Sequence, residues 1–172
     1  MVDNKFIEFL LGANRPLHLT GVSGSGKTTF LTSVAIKLYA CKQLRVSFQE
    51  QNLKLFEVSL AHYFNLYDVQ VTQELREAAG RLGLNQVFFE GRVNVDKETS
   101  GGERSRLVFL RTIFADADVF IFDEPATGVN NTLAAEMWKL LKQRSVTRPC
   151  IFTSHEPVGI DVQEVKVVDV YK

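Results

Sequence analysis

The sequence predicts an α/β fold: a mostly parallel β-sheet flanked by helices, with a short helical subdomain set into it. Three observations carry this. Short apolar runs at Leu17–Thr20, Arg45–Phe48, Val119–Phe122 and Cys150–Thr153 alternate with stretches of helical periodicity, the order that parallel strands with helical crossovers require. Val119-Phe120-Ile121-Phe122 is apolar without interruption, as a strand covered on both faces should be. A glycine-rich turn, Gly21 to Gly26, stands between the first strand and the first strongly periodic helix.

Taken in order, Leu17-His18-Leu19-Thr20 is the first strand. The helix after the turn carries Phe30, Leu31, Val34, Ala35, Leu38 and Tyr39 on one face. Arg45-Val46-Ser47-Phe48 is a second strand. The segment from Asn52 to about Val95 turns amphipathic and aromatic, with helices expected around Leu55–Asn65 and Val71–Leu82, the second stopped near Gly83. A helix with Leu107, Leu110, Ile113 and Phe114 on one face leads into Val119–Phe122. Thr132–Gln143 is helical, Cys150–Thr153 is a strand, and Val165–Val170 is the last one.

Composition fits one domain. The 172 residues are 45% apolar and 23% charged, and 20 Lys and Arg balance 20 Asp and Glu. A zero net charge provides no global basic field for nucleic acid. The two cysteines, Cys41 and Cys150, lack metal-ligand spacing, so neither a disulfide framework nor a zinc module is expected, and a reducing cytosol is the default compartment. No run reaches 18 apolar residues, and Asp3, Asn4 and Glu8 interrupt the opening segment; neither a membrane span nor a leader is expected.

The chemistry begins at Gly21-Val22-Ser23-Gly24-Ser25-Gly26-Lys27-Thr28, which fits G-x-x-x-x-G-K-[ST] in the strand-to-helix context the motif needs. Glycines let backbone N–H groups curl round a phosphate, and the helix N-terminus behind them adds a favourable dipole. Gly21, Ser23, Gly24, Ser25, Gly26, Lys27, Thr28 and Thr29 are the candidate nucleotide contacts, with Lys27 on the β- and γ-phosphates and the Thr28 hydroxyl on Mg²⁺. Asp123 and Glu124 follow the apolar run and emerge at a strand's C-terminal end, where open α/β sheets bind ligands. Asp123 suits a hydrated Mg²⁺. Glu124 suits the water that attacks a γ-phosphate, since phosphoryl transfer depends mainly on positioning and charge stabilisation.

Four further pieces, in chain order, resemble the ATP-binding-cassette (ABC) family of ATPases. Gln51, in Phe48-Gln49-Glu50-Gln51-Asn52-Leu53-Lys54-Leu55-Phe56, is similar to the family's Q-loop glutamine, with Gln49 as the rival assignment. Thr99-Ser100-Gly101-Gly102-Glu103 resembles the LSGGQ signature, with Thr for Leu and Glu for Gln; Ser100 and Glu103 are also spaced as a capping box. Ala126-Thr127-Gly128-Val129-Asn130 is similar to the D-loop, with Asn130 where Asp is usual. His155, just past a strand, resembles the switch histidine. His18 and His62 are read as structural.

The resemblance implies a P-loop NTPase with a RecA-like sheet, a single domain over residues 1–172 with its helical subdomain inserted at about 52–99, and ATP and Mg²⁺ as cofactors. It implies Glu124, His155 and Gln51 as catalytic residues, and Thr28, Gln51 and Asp123 at the metal. It further implies a head-to-tail homodimer, or a pair with another ABC ATPase chain, in which Ser100, Gly101, Gly102 and Glu103 close over a partner's nucleotide. The segments before Gly21 and between Lys27 and Gln51 are too short for the antiparallel β-subdomain of transporter ATPases, and no aromatic residue stands where the family stacks adenine; Phe6 and Phe9 are substitutes. The leading expectation is a motor for membrane transporter subunits, in the cytoplasm or on the cytoplasmic face of the membrane, because the Gln51–Phe56 segment with Phe56, Tyr63, Phe64 and Tyr67 occupies the docking region. Those aromatics are equally candidates for the core. The alternative is a nucleic-acid-associated ATPase resembling the damage-recognition subunit of bacterial excision repair. A small-molecule kinase and a nucleotide-binding module without hydrolysis are weaker fits.

Overall fold

In the computed structural model, residues 2–49, 57–84, 89, 93–94 and 99–167 are described. The chain runs α1 (Asn4–Leu11), β1 (Leu17–Thr20), α2 (Lys27–Tyr39), β2 (Val46–Gln49), β3 (Glu57–Val58), α3 (Leu60–Asn65), α4 (Gln73–Arg81), β4 (Val93–Asn94), α5 (Gly101–Ile113), β5 (Val119–Phe122), α6 (Asn131–Ser145), β6 (Cys150–Phe152) and β7 (Gln163–Lys166). β2, β5, β6, β1 and β7 form, in that order, a five-stranded sheet. Every pairing in it is parallel. β3 and β4 form a separate antiparallel pair.

The alternation of side chains along the strands sorts the core into two layers. On one face Leu17, Leu19, Val119, Ile121 and Ile151 pack with Phe30, Leu31, Val34 and Leu38 of α2 and with Phe6 and Leu10 of α1. On the other, Phe120, Phe122 and Phe152 meet Leu107, Phe109 and Leu110 of α5 and Trp138 and Leu141 of α6. Each such fully buried side chain contributes about 1.5–3 kcal/mol of transfer free energy. Tyr63, Phe64, Leu75 and Leu82 of the middle segment join the second layer, so α3 and α4 hang on the sheet through α5.

Several boundaries differ from the sequence expectation for identifiable reasons. The helix expected from Leu55 begins at Leu60, where the Ser59 side chain accepts the His62 N–H, and the residues before it, Glu57 and Val58, pair as a strand. α4 starts after the Thr72 cap, and its run closes at Gly83 with φ 68°. The last strand lies at Gln163–Lys166, displaced toward the N-terminus because it pairs residue by residue with all of β1. Residues 168–170 of the expected strand lie outside the described residues. α1 precedes every element the sequence predicts; Asp3 caps it by accepting the Phe6 N–H at 2.7 Å. Tyr39 is 55% exposed rather than in the core, its hydroxyl donating to the Val46 carbonyl. Among the described residues no helix is long and apolar enough to cross a membrane.

Candidate functional site

The turn after β1 is shaped by glycine. Gly24 and Gly26 hold φ of 77° and 89°, a region L side chains avoid, and Gly26 is the N-cap of α2. A Cβ on Gly21 would stand 2.6 Å from Ser25 Oγ, so the Ser25 hydroxyl would have to turn aside. Gly21, Val22, Ser23 and Gly24 are exposed, whereas Lys27, in the first turn of α2, is buried. Its ammonium Nζ donates to the carbonyls of Gly21 at 2.9 Å and Val22 at 3.2 Å, so the charge lies inside the loop. Thr28 and Thr29 follow it, both exposed at the helix start.

Asp123 and Glu124 leave β5 at its C-terminal end. The Asp123 N–H donates to the Gln49 carbonyl at 3.1 Å, which ties the ends of β5 and β2 together. Asp123 is buried; one carboxylate oxygen, Oδ1, accepts the Thr153 hydroxyl at 2.8 Å, and the other, Oδ2, is buried without a hydrogen-bond partner. Gln49 is buried too, and its Oε1 is likewise unpartnered. Buried orphan oxygens of this kind are costly. Oδ2 of Asp123 therefore suits a hydrated cation, the test a Mg²⁺ site has to pass here, and the residues present fit that ion.

Glu124 has φ 49°, unusual for a residue with a side chain. Its N–H donates to Thr153 Oγ1 at 2.9 Å, its Oε1 lies 2.7 Å from His155 Nε2, and its Oε2 accepts the Thr127 hydroxyl at 3.3 Å. The side chain is 15% exposed and His155 54%, so the pair faces solvent. Glu124, Thr127, Gly128 and His155 line one cleft of about 500 Å³.

The Ser100 corner is built as a capping box: Ser100 Oγ accepts the Glu103 N–H at 3.3 Å, and Glu103 Oε2 accepts the Ser100 N–H at 2.8 Å. The Ser100 N–H foremost, and the Ser100 hydroxyl donating to the same Oε2 at 2.8 Å, hold the Glu103 carboxyl below its ordinary range. Ser100 and Gly101 are exposed. Gly102 lies so close to the loop after β5 that a Cβ on it would stand 2.6 Å from the Gly128 carbonyl oxygen; Ser105 Oγ donates to Thr127 O at 2.9 Å in the same contact. Thr99, at the usual Leu position, is buried as a Leu would be. Asn130 is the N-cap of α6, its Oδ1 accepting the Leu133 N–H at 3.0 Å.

The structure thus brings Asp123, Glu124 and His155 together, and joins the Ser100 corner to the loop at Gly128. Gln51 lies outside the described residues. Thr153, whose hydroxyl donates to the Asp123 carboxylate, and Gln49, whose carbonyl accepts the Asp123 N–H, carry a signal that could have been read: polar residues closing apolar strands. Phe6 is in the core, edge-on to Phe30 at 5.0 Å, while Phe9 is partly exposed. His18 stacks on Phe152 at 4.9 Å, and burial lowers its pKa.

Residues 5–127 match the sequence model of the family described as ABC transporter. The chain belongs to that family. Its members are ATPases, and the five-stranded parallel sheet of this chain is their P-loop fold. The zinc import ATP-binding protein ZnuC of Histophilus somni is 26% identical over 178 residues, covering 95% of this chain and 66% of that protein. ZnuC of Haemophilus influenzae is 26% identical over 155 residues, covering 83% of this chain and 56% of its own length. The chain therefore spans between half and two thirds of these relatives. A solved Pyrococcus furiosus structure described as an ABC transporter ATP-binding protein superposes with a TM-score of 0.73 at 17% identity, covering 93% of this chain and 88% of that one.

Proposed function

We propose that this ABC domain binds and hydrolyses MgATP at the turn between β1 and α2, and that ATP draws two such domains together head to tail to drive membrane transporter subunits. The observation that carries hydrolysis is the carboxylate pair: one oxygen of Asp123 is buried and unpartnered, which suits a cation, and Glu124, beside His155, is held at the solvent side. In this reading Lys27 exchanges its loop carbonyls for the β- and γ-phosphates, a charge-assisted contact that is roughly twice as strong as a neutral one. Thr28 and Asp123, with Gln51 or Gln49, would hold Mg²⁺, which supplies charge neutralisation on the phosphates. Glu124 takes a proton from the attacking water, and His155 steadies the carboxylate and reads the γ-phosphate.

The trans arrangement rests on exposure. Ser100 and Gly101 face solvent, and the capped N-terminus of the 13-residue α5 is suited to an anion. A neighbouring molecule's γ-phosphate fits that corner. The shared phosphate supplies the difference in affinity between open and closed states that any such switch needs. Residues about 52–99 act as the helical subdomain within a single domain.

Transporter coupling draws on the ZnuC relatives and on one surface. Of the aromatics considered for docking, Tyr63 and Phe64 are core, Phe56 lies outside the described residues, and Tyr67 is 40% exposed. Tyr67, Tyr39, Phe48 and Arg111 line a cleft of about 460 Å³ beside the edge strand β2, a site for a segment of a membrane subunit, which would place the domain at the cytoplasmic face. The deciding experiment is Glu124→Gln with saturating ATP and Mg²⁺ in size-exclusion chromatography. An ATP-dependent dimer is expected; a variant that stays monomeric overturns the shared-site mechanism. Steeply salt-dependent DNA binding would instead favour the nucleic-acid reading.

A further inference from the structure

The structure holds a side chain at the centre of the site to which none of the motifs gives a role. Thr153 follows β6 and is fully buried. Its N–H donates to the Phe122 carbonyl at 3.0 Å, so the parallel register of β6 on β5 fixes where its hydroxyl stands. That hydroxyl is used in both senses: Oγ1 donates to Asp123 Oδ1 at 2.8 Å and accepts the Glu124 N–H at 2.9 Å. A hydroxyl has one proton to donate, and here it goes to Asp123.

Two consequences follow. With Oδ1 engaged, the Asp123 carboxylate cannot rotate freely, and its second oxygen, buried and unpartnered, keeps one direction. At Glu124 the backbone is in the left-handed region, φ 49°, which is unfavourable for a side-chain-bearing residue. The Thr153 acceptor anchors the N–H of that same residue, and the turn it stabilises is what carries Glu124 Oε1 to 2.7 Å from His155 Nε2.

We propose that Thr153 is a positioning residue: its hydroxyl sets the Asp123 carboxylate for the cation and holds the Glu124 turn, without touching nucleotide. This rests on the reading of the carboxylate pair given above. The test is the Mg²⁺ dependence of binding of a fluorescent, non-hydrolysable ATP analogue to the wild-type chain, Thr153→Val and Thr153→Ser, each checked for a cooperative thermal transition. Val keeps the shape and removes the hydroxyl; Ser keeps the hydroxyl.

The expected result is unchanged analogue affinity without Mg²⁺ in all three, a rise of about tenfold in the Mg²⁺ concentration for half-saturation in Thr153→Val, and a value within about twofold of wild type in Thr153→Ser, in keeping with the loss of one hydrogen bond to a charged group. An unshifted Thr153→Val, or a Thr153→Ser that shifts with it, overturns the positioning role alone. Wild-type binding with no Mg²⁺ dependence overturns the reading of the site and this role with it. Should Thr153→Val not fold, Thr153→Cys carries the measurement: its weak thiol donor should place it between Ser and Val, and no shift overturns the proposal.

Discussion

The contact between α5 and the loop after β5 can be measured with two neighbouring substitutions. Gly101 and Gly102 occupy the first turn of the same helix, and Ala in place of Gly in a helix is favourable by about 0.5–1 kcal/mol. A Cβ on Gly101 meets nothing within 4 Å, whereas a Cβ on Gly102 stands 2.6 Å from the Gly128 carbonyl oxygen. The obstacle is backbone, so it yields only if the helix or the loop moves, and overpacking of this kind costs about 1–3 kcal/mol. Because the helix term is common to both, the difference between Gly101→Ala and Gly102→Ala isolates the collision: about 1–3 kcal/mol. Urea unfolding reads it directly, as a midpoint for Gly102→Ala lower by about 1 M at equal slope, given slopes of about 1–3 kcal/mol/M. Gly101→Ala should unfold at or above the wild-type midpoint. Coincident midpoints for the two variants would refute the packing of the Ser100 corner on Gly128.

Ser100→Ala removes the side-chain half of the capping box at the head of α5, leaving the Ser100 N–H on Glu103 in place, and should lower stability by about 1 kcal/mol in the same assay. Glu103 has a folded-state pKa below its usual 4.5; its contribution is fully present above that value and is lost as pH falls through the folded one, so Glu103→Gln should flatten acid unfolding below about pH 4.5. His18 works in the opposite range. Burial lowers its pKa from 6.5, the unfolded chain therefore binds the proton more readily, and stability should decline as pH drops below 6.5. His18→Phe, which keeps the stack on Phe152, should remove that part of the decline in a thermal-unfolding series. Asp118, paired with Arg45 and drawn down to about 2, should contribute a separate loss between about pH 4 and 2, abolished in Asp118→Asn.

Where periodicity and burial coincide, the sequence is legible. Val119–Phe122 faces apolar layers on both sides, and its pattern says so; α2 and α6 show the 3.6-residue spacing, and Asn130 caps α6. The middle segment resists because its order comes from contacts distant in sequence. Glu57–Val58 becomes a strand only because Val93–Asn94 lies opposite, and two residues carry no period. The Ser59 and Thr72 caps that start α3 and α4 are ordinary polar residues until a helix is known to follow them.

The carboxylate pair marks a second boundary of legibility. Asp123 and Glu124 announce themselves by following an apolar strand, but the residues that orient them come from other strands and are set by register. Gln49 is opposite Phe122, so its carbonyl meets the Asp123 N–H; Thr153 is one step beyond Phe152, which is also opposite Phe122, so its hydroxyl meets the carboxylate. A slip of one residue in either pairing would turn those side chains to the other face. In the proposed site, the register that holds Gln49 within reach of the Asp123 backbone makes it the glutamine to test against Gln51, which lies outside the described residues. On this argument Gln49→Ala should weaken Mg²⁺-dependent nucleotide binding more than Gln51→Ala, read as the Mg²⁺ half-saturation of an ATP analogue. The reverse order would place the functional glutamine in the segment past β2.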